Sequence, residues 1–299
     1  MYIDLAALWQ SANAFVNSNV FTAIAGSCAG AFFGAYGAQR IAARSKEREE
    51  LLTEIRNTNA AVMVAFAICN AFLVIKKQHI KPFKDAYDLQ KAAYFDHAQK
   101  RGSGQISADT PFEFVANLQS HFLPPFPLDV LRQQVFEKLS LSGLPLLLTT
   151  ALSDTVFGLN TSVANRNKLI EFYKQQSISP QQLVSLYFGL RQQNTHVINQ
   201  EYPSLIDAIY RQTDDGIFYS HLLCTDLFDH GRELARRFKA RFGKDASTTL
   251  NKSDFSDQSA LMPNVTDYAD WFNLIIDKQK GPSNTPKQSR GSVFTILVL

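Results

Sequence analysis

Residues 20–38 contain no charge, reading Val-Phe-Thr-Ala-Ile-Ala-Gly-Ser-Cys-Ala-Gly-Ala-Phe-Phe-Gly-Ala-Tyr-Gly-Ala, and charged residues resume at Arg40. At 1.5 Å per residue this run makes about 28 Å of helix, close to the roughly 30 Å of hydrocarbon in a bilayer. The pattern predicts a transmembrane helix over 20–38. Gly26, Gly30 and Gly34 recur every fourth residue, and Gly37 follows. Glycines so spaced flatten one helix face, and in lipid a second backbone can approach it closely enough for dispersion to hold the pair. These four glycines are therefore expected to pack membrane helices in a homo-oligomer.

Competing readings of the run remain open. Gly and Ala dilute its hydrophobicity, so a Gly/Ala-rich helix buried in a soluble bundle has the same composition. A cleaved signal, or a lipoprotein signal at Ala25-Gly26-Ser27-Cys28, would need a cationic start, and no Lys or Arg precedes Arg40.

Upstream, Leu5, Leu8, Trp9, Ala12, Phe15 and Val16 share one helical face. Residues 1–19 read as a short amphipathic helix, lying on the outer membrane surface or packed on its own protein. Asp4 alone precedes the span, whereas Arg40, Arg44, Lys46 and Arg48 follow it. By the positive-inside rule the N-terminus lies outside an inner or plasma membrane and the bulk of the chain is cytoplasmic.

A second pattern begins at Leu52. Leu52, Ile55, Asn59, Val62, Phe66, Cys69, Leu73, Lys76 and Ile80 alternate steps of three and four, the spacing of a coiled-coil seam. Residues 39–84 are expected to form a long juxtamembrane helix, continuous with the span, whose seam meets either an oligomer partner or the rest of its own domain. Within it, Ala60–Ile75 is uncharged, about 24 Å long as a helix and flanked by cations on both sides. Those flanks and the interrupting Asn70 favour a core segment, with a second crossing as the alternative.

Residues 85–280 read as a cytoplasmic helical domain. Helices are expected over Asp85–Arg101, Pro111–Phe122, Leu128–Ser140, Leu144–Gln176, Pro180–Asn199, Pro203–Phe242 and Thr266–Lys278. Loops are expected at Gly102–Pro111 and Asp245–Asn264. No stretch shows strand alternation bounded by hairpin turns, so the fold class is all-α. Residues 281–299 form a polar linker ending in the apolar Val293–Leu299, which could dock on its own protein, join a partner, or carry no role.

Thirty Lys and Arg against 27 Asp and Glu leave +3, with the two signs interspersed, and this gives no case for nucleic acid. Three separated cysteines, Cys28, Cys69 and Cys224, suit a reducing compartment. The chain lacks a phosphate loop, a nucleophile elbow, a zinc-protease helix and a Cys-x-x-Cys pair. His221-Leu-Leu-Cys-Thr-Asp-Leu-Phe-Asp-His230 is its only chemically dense segment, but on a helix Asp226 and Asp229 point away from His221, a poor metal geometry. The expectation is a protein without enzyme activity, cofactor or metal. It would be a membrane-anchored interaction or regulatory protein that binds a cytoplasmic protein partner. The alternatives are a membrane-perturbing effector whose spans assemble to breach the bilayer and, more weakly, a hydrolase with its site at His221–His230. Arg232, Arg236, Arg237, Lys239 and Arg241 form a basic run that is either a solvated face or a contact for anionic headgroups.

Overall fold

The computed structural model describes residues 19–191, 198–243 and 255–273, together with residues 9, 13, 14, 16 and 246. Among these the chain is helical and contains no strand; Arg191 and Ile198 form an isolated bridge. Helix α1 spans Asn19–Ile75, α2 Lys81–Gly102, α3 Leu128–Arg132, α4 Leu144–Gln175, α5 Pro180–Phe188 and α6 Glu201–Phe242. The chain divides into two compact units: residues 1–55 with 234–247, and residues 56–233 with 248–299.

In the first unit, buried Ile55, Leu234 and Phe238 form a small core, with Leu51, Leu52, Phe242 and Ala246 packed on it. The Phe238 and Phe242 rings lie 5.0 Å apart. On α1 the residues from Gly30 to Glu50 are exposed, apart from the half-covered Gly37 and Glu47. Of the expected outer helix, Trp9, Asn13, Ala14 and Val16 are helical and exposed, and the rest lies outside the described residues.

The second unit has two cores. In the larger, the α1 residues Ala61, Val62, Ile68, Phe72 and Leu73 meet Leu148, Leu152 and Leu159 of α4 and Ile217, Leu223 and Leu227 of α6. The smaller is aromatic, built from Phe83 and Tyr87 of α2, Tyr173 of α4, Tyr187 and Phe188 of α5 and Tyr202 of α6.

A π-turn at Lys76–Ile80 joins α1 to α2, with the Lys81 N–H donating to the Lys76 carbonyl. Pro82 supplies the reason: it offers no N–H, and its ring would strike the carbonyl one tight turn back, so a wider turn relieves the clash.

The helices expected at Leu144–Gln176 and Pro203–Phe242 are found within two residues of those limits, and α6 continues through Gly231 without a break. Two expected helices are corrected. Residues 111–127 contain no helix and form an extended strap. Phe112, Phe114, Ala116 and Leu118 alternate into the aromatic core while Glu113 and Val115 face out, a period of two rather than 3.6. The helix expected over Pro180–Asn199 stops at Phe188, where Gly189 takes a left-handed φ of 69° and the Leu190 N–H returns to the Ser185 carbonyl. Ser179 caps its start, accepting from the Gln182 N–H.

Of the loop expected at Asp245–Asn264, Ser256–Leu261 forms a 3₁₀ turn. In the segment expected as the Thr266–Lys278 helix, Val265–Tyr268 is 3₁₀ and helix follows through Asn273. Residues 274–299, including the apolar Val293–Leu299, lie outside the described residues, as does His196.

Candidate functional site

Gly30, Gly34 and Gly37 lie on α1 with open space where a β-carbon would stand. Large apolar side chains around them are exposed: Phe32, Phe33, Tyr36 and Ile41. Gly26 lies in the same helix, and its surroundings are outside the described residues. Among the described residues nothing covers the glycine face from Gly30 onward. Among the described residues one helix, Gly30–Gly102, is long and apolar enough to cross a membrane by length and composition, and its most apolar stretch lies beyond these glycines.

The seam residues occupy a different position. Ile55, Val62, Cys69 and Leu73 are buried, as are Lys76 and Ile80, and Leu52, Asn59 and Phe66 are half-buried. Their partners belong to the same chain: the Cys69 thiol points to the Ile217 carbonyl, the Cys224 thiol to the Val62 carbonyl, and the Phe66 ring packs 5.2 Å from Phe255. Burial pushes the Cys69 thiol up to about 12, so it stays protonated and unreactive. The most apolar 18-residue window of the long helix is half buried, a share matched residue by residue by Thr58–Ile75. That apolar run serves as a core wall.

The dense segment on α6 opens into a cleft of about 150 Å³ lined by His221, Cys224, Thr225, Phe228, Asp229 and Arg232, with Phe255 opposite. The expectation that Asp229 points away from His221 is corrected: His221, Cys224 and Asp229 all line this cleft. Asp226 and His230 do not line the cleft. His221 lies edge-on to Phe255 at 5.2 Å, Cys224 is buried, and Asp229 faces Arg232 at 3.9 Å. Burial, followed by neighbouring Asp229, raises the Asp226 carboxyl above its ordinary range. Among the described residues no group of three or more His, Cys, Asp or Glu is placed to hold a metal ion.

Two polar networks carry no sequence motif. Arg166 is fully buried in the middle of α4. Its guanidinium donates to the Gln119 carbonyl at 2.9 Å and to the Asn117 carbonyl and Tyr202 hydroxyl at 3.3 Å, and it lies 4.4 Å from the Phe83 ring centroid. Three neutral acceptors and a ring face replace the water that the charge has lost. Beside it, Asn167 donates to the His121 carbonyl at 2.7 Å and accepts from the His121 N–H at 3.0 Å, pairing with the strap as another strand would. Burial, then the Arg166 charge, then His79, hold the His121 imidazole down at about 4, so it is neutral near pH 7.

The second network centres on Lys76, whose ammonium lies 2.5 Å from the Asp214 carboxylate and donates to the Leu261 carbonyl at 2.8 Å. Next to it the Tyr268 hydroxyl donates to Asp215 at 2.9 Å, and its ring stacks on Phe218 with centroids 3.7 Å apart. Burial raises both carboxyls, with the ion pair opposing it at Asp214 and the tyrosine hydrogen bond opposing it at Asp215. This network ties residues 261–268 to the π-turn after α1 and to α6.

These features define a mostly helical protein in which, among the described residues, the stretch of α1 around Gly30, Gly34 and Gly37 is exposed. Compared with known protein families, characterised proteins and solved structures, the chain matches none.

Proposed function

We propose that this chain is a membrane-anchored helical interaction or regulatory protein. It self-associates through the glycine face of α1 and binds a protein partner in the cytoplasm. The observation that carries the reading is the contrast between two apolar stretches of one helix. Around Gly30, Gly34 and Gly37 none of the described residues covers the backbone, whereas Ala61–Ile75 is consumed by α4 and α6. An uncharged helix with exposed Phe32, Phe33 and Tyr36 is costly in water and at home in lipid.

A single crossing follows, because a second at Ala60–Ile75 would strip that helix from its core and carry the buried Lys76–Asp214 pair toward the hydrocarbon. Arg40, Arg44, Lys46 and Arg48 then place the larger part of the chain in the cytoplasm. The test is membrane topology, with reporters attached after residue 50 and, separately, after residue 110, and alkaline carbonate extraction of the full chain. Cytoplasmic signals at both positions and resistance to carbonate are expected. Release by carbonate, or an external reporter at residue 110, overturns the single-span reading.

A further inference from the structure

Within the first unit, α6 runs antiparallel to α1: Leu234 and Phe238 pack with Ile55, and the Arg44 guanidinium lies 5.9 Å from the Phe242 ring. Arg241 fixes the register, donating from Nε and Nη2 to the Glu47 carboxylate at 3.0–3.1 Å. The last turn of α6 is therefore level with the first turns of α1 beyond the uncharged run.

That register gathers charge of one sign. Here α1 carries Arg40, Arg44, Lys46 and Arg48 with Glu47, Glu49, Glu50 and Glu54, while α6 brings Arg236, Arg237, Lys239 and Arg241 with no acid between Leu234 and Phe242. Eight cations face four carboxylates. Two of those carboxylates are engaged locally, Glu47 by Arg241 and Glu50 by Lys46 at 3.8 Å. Arg40, Arg44 and Arg237 are exposed. Measured along the helix, Arg40 and Arg44 stand about 3 and 9 Å past Ala38, within or at the edge of a headgroup layer about 5–8 Å deep. Arg241, level with Glu47, stands about 14 Å past Ala38 and the other α6 cations up to about 7 Å farther out, so their long side chains and a Debye length of about 8 Å together span the gap to the headgroups.

We propose that the C-terminal end of α6 and the adjoining turns of α1 form a docking surface for anionic phospholipid headgroups of the inner leaflet. The inference rests on the single-span reading, which sets this end of the unit at the membrane. Residues widely separated in sequence contribute to the surface, so it exists only when the Arg241–Glu47 clamp holds α6 against α1. The lipid selected is one with net negative charge, such as phosphatidylglycerol, in preference to zwitterionic phosphatidylcholine.

The test uses the full chain in dodecyl maltoside micelles, incubated with equal amounts of phosphatidylglycerol and phosphatidylcholine and read by native mass spectrometry. Phosphatidylglycerol is expected to be retained at least roughly 5-fold over phosphatidylcholine, with the preference shrinking as salt rises. Arg44→Gln with Arg237→Gln should bring the ratio close to one. Arg237→Gln alone, at an exposed position, should lower it part of the way. Lys168→Gln with Lys174→Gln, on α4, should leave it unchanged. Equal retention of both lipids by the parent protein overturns the proposal, as does an equal loss in the α4 variant. Release of the chain by carbonate would overturn the span while leaving the lipid ratio to be read on its own. Resistance to carbonate with no lipid preference would overturn the docking surface alone.

Discussion

Phe72 of α1 lies directly over Gly216 of α6: a β-carbon at position 216 would stand 2.3 Å from two of its ring carbons. The Phe72 ring is also stacked on Phe126 at 4.5 Å. Glycine is needed at 216 for closeness of approach.

Gly216→Ala should therefore destabilise the protein by about 1–3 kcal/mol through overpacking, even though alanine favours helix. Chemical denaturation followed by circular dichroism measures this. Phe72→Leu in the same background should recover part of the loss, because the smaller side chain frees the space. A fully stable Gly216→Ala protein would mean that the helices separate there without cost.

Arg166→Met should cost on the order of 3 kcal/mol, because the Asn117 and Gln119 carbonyls lose charged donors while the site stays dry. Arg166→Lys should recover little, since one ammonium cannot reproduce the planar fork that reaches Gln119, Asn117 and Tyr202 together. Hydrogen exchange distinguishes a local from a global effect. Amides at 117–121 should lose protection in both variants, with those of Thr58–Ile75 changed far less.

His121 gives the protein a pH dependence of definite sign. Its folded pKa, about 4, lies below the ordinary 6.5, so the unfolded chain takes up the proton first. Stability should fall as pH drops from about 6.5 toward 4. Asp214, Asp215 and Asp226 act in the opposite sense: their pKa values are raised in the fold, so protonating them in acid favours the folded state. His121→Gln isolates the histidine. Melting temperatures between pH 7 and 4.5 should decline less in this variant than in the parent, and identical slopes would refute the assignment.

Gly34→Leu fills open space on α1, where a β-carbon meets none of the described residues. Stability of the rest of the fold should be unchanged, while self-association in detergent weakens at least roughly tenfold, about 1.4 kcal/mol. Cross-linking at graded protein-to-detergent ratios measures it. Unaltered cross-linking in Gly30→Leu and Gly34→Leu alike would remove the glycine face from any oligomer contact.

Periodicity carried much of this fold. The three- and four-residue steps from Leu52 to Ile80 mark the buried face of α1 and its continuation, and the limits of α4 and α6 follow from Pro145, Pro203 and the loss of pattern after Phe242. The strap at 111–127 was misread because Pro111 before an apolar cluster imitates a helix start. Its alternation at Phe112, Phe114, Ala116 and Leu118 was legible, yet it lacks the hairpin turns that normally accompany a strand, and side chains of α4 hydrogen-bond its backbone instead. Gly189 was likewise a visible stop signal inside a longer helical pattern. Arg166 and Asn167 had no local signature, since their role depends on carbonyls more than forty residues away. Helical spacing turns Asp229 away from His221, yet both line the cleft, and Phe255, which closes it, has no signal in the sequence.

The burial of Thr58–Ile75 has a consequence during synthesis. This segment leaves the ribosome before the helices that cover it: α4 starts at Leu144 and α6 at Glu201. At about 5–20 residues per second, translation from Ile75 to Glu201 takes roughly 6–25 s, during which a bare apolar helix follows closely on the segment proposed to enter the bilayer. Insertion machinery and folding compete for the same residues in that interval. The lysines at 76, 77, 81 and 84 emerge next and weigh against translocating the segment, keeping it available until its own partners are made.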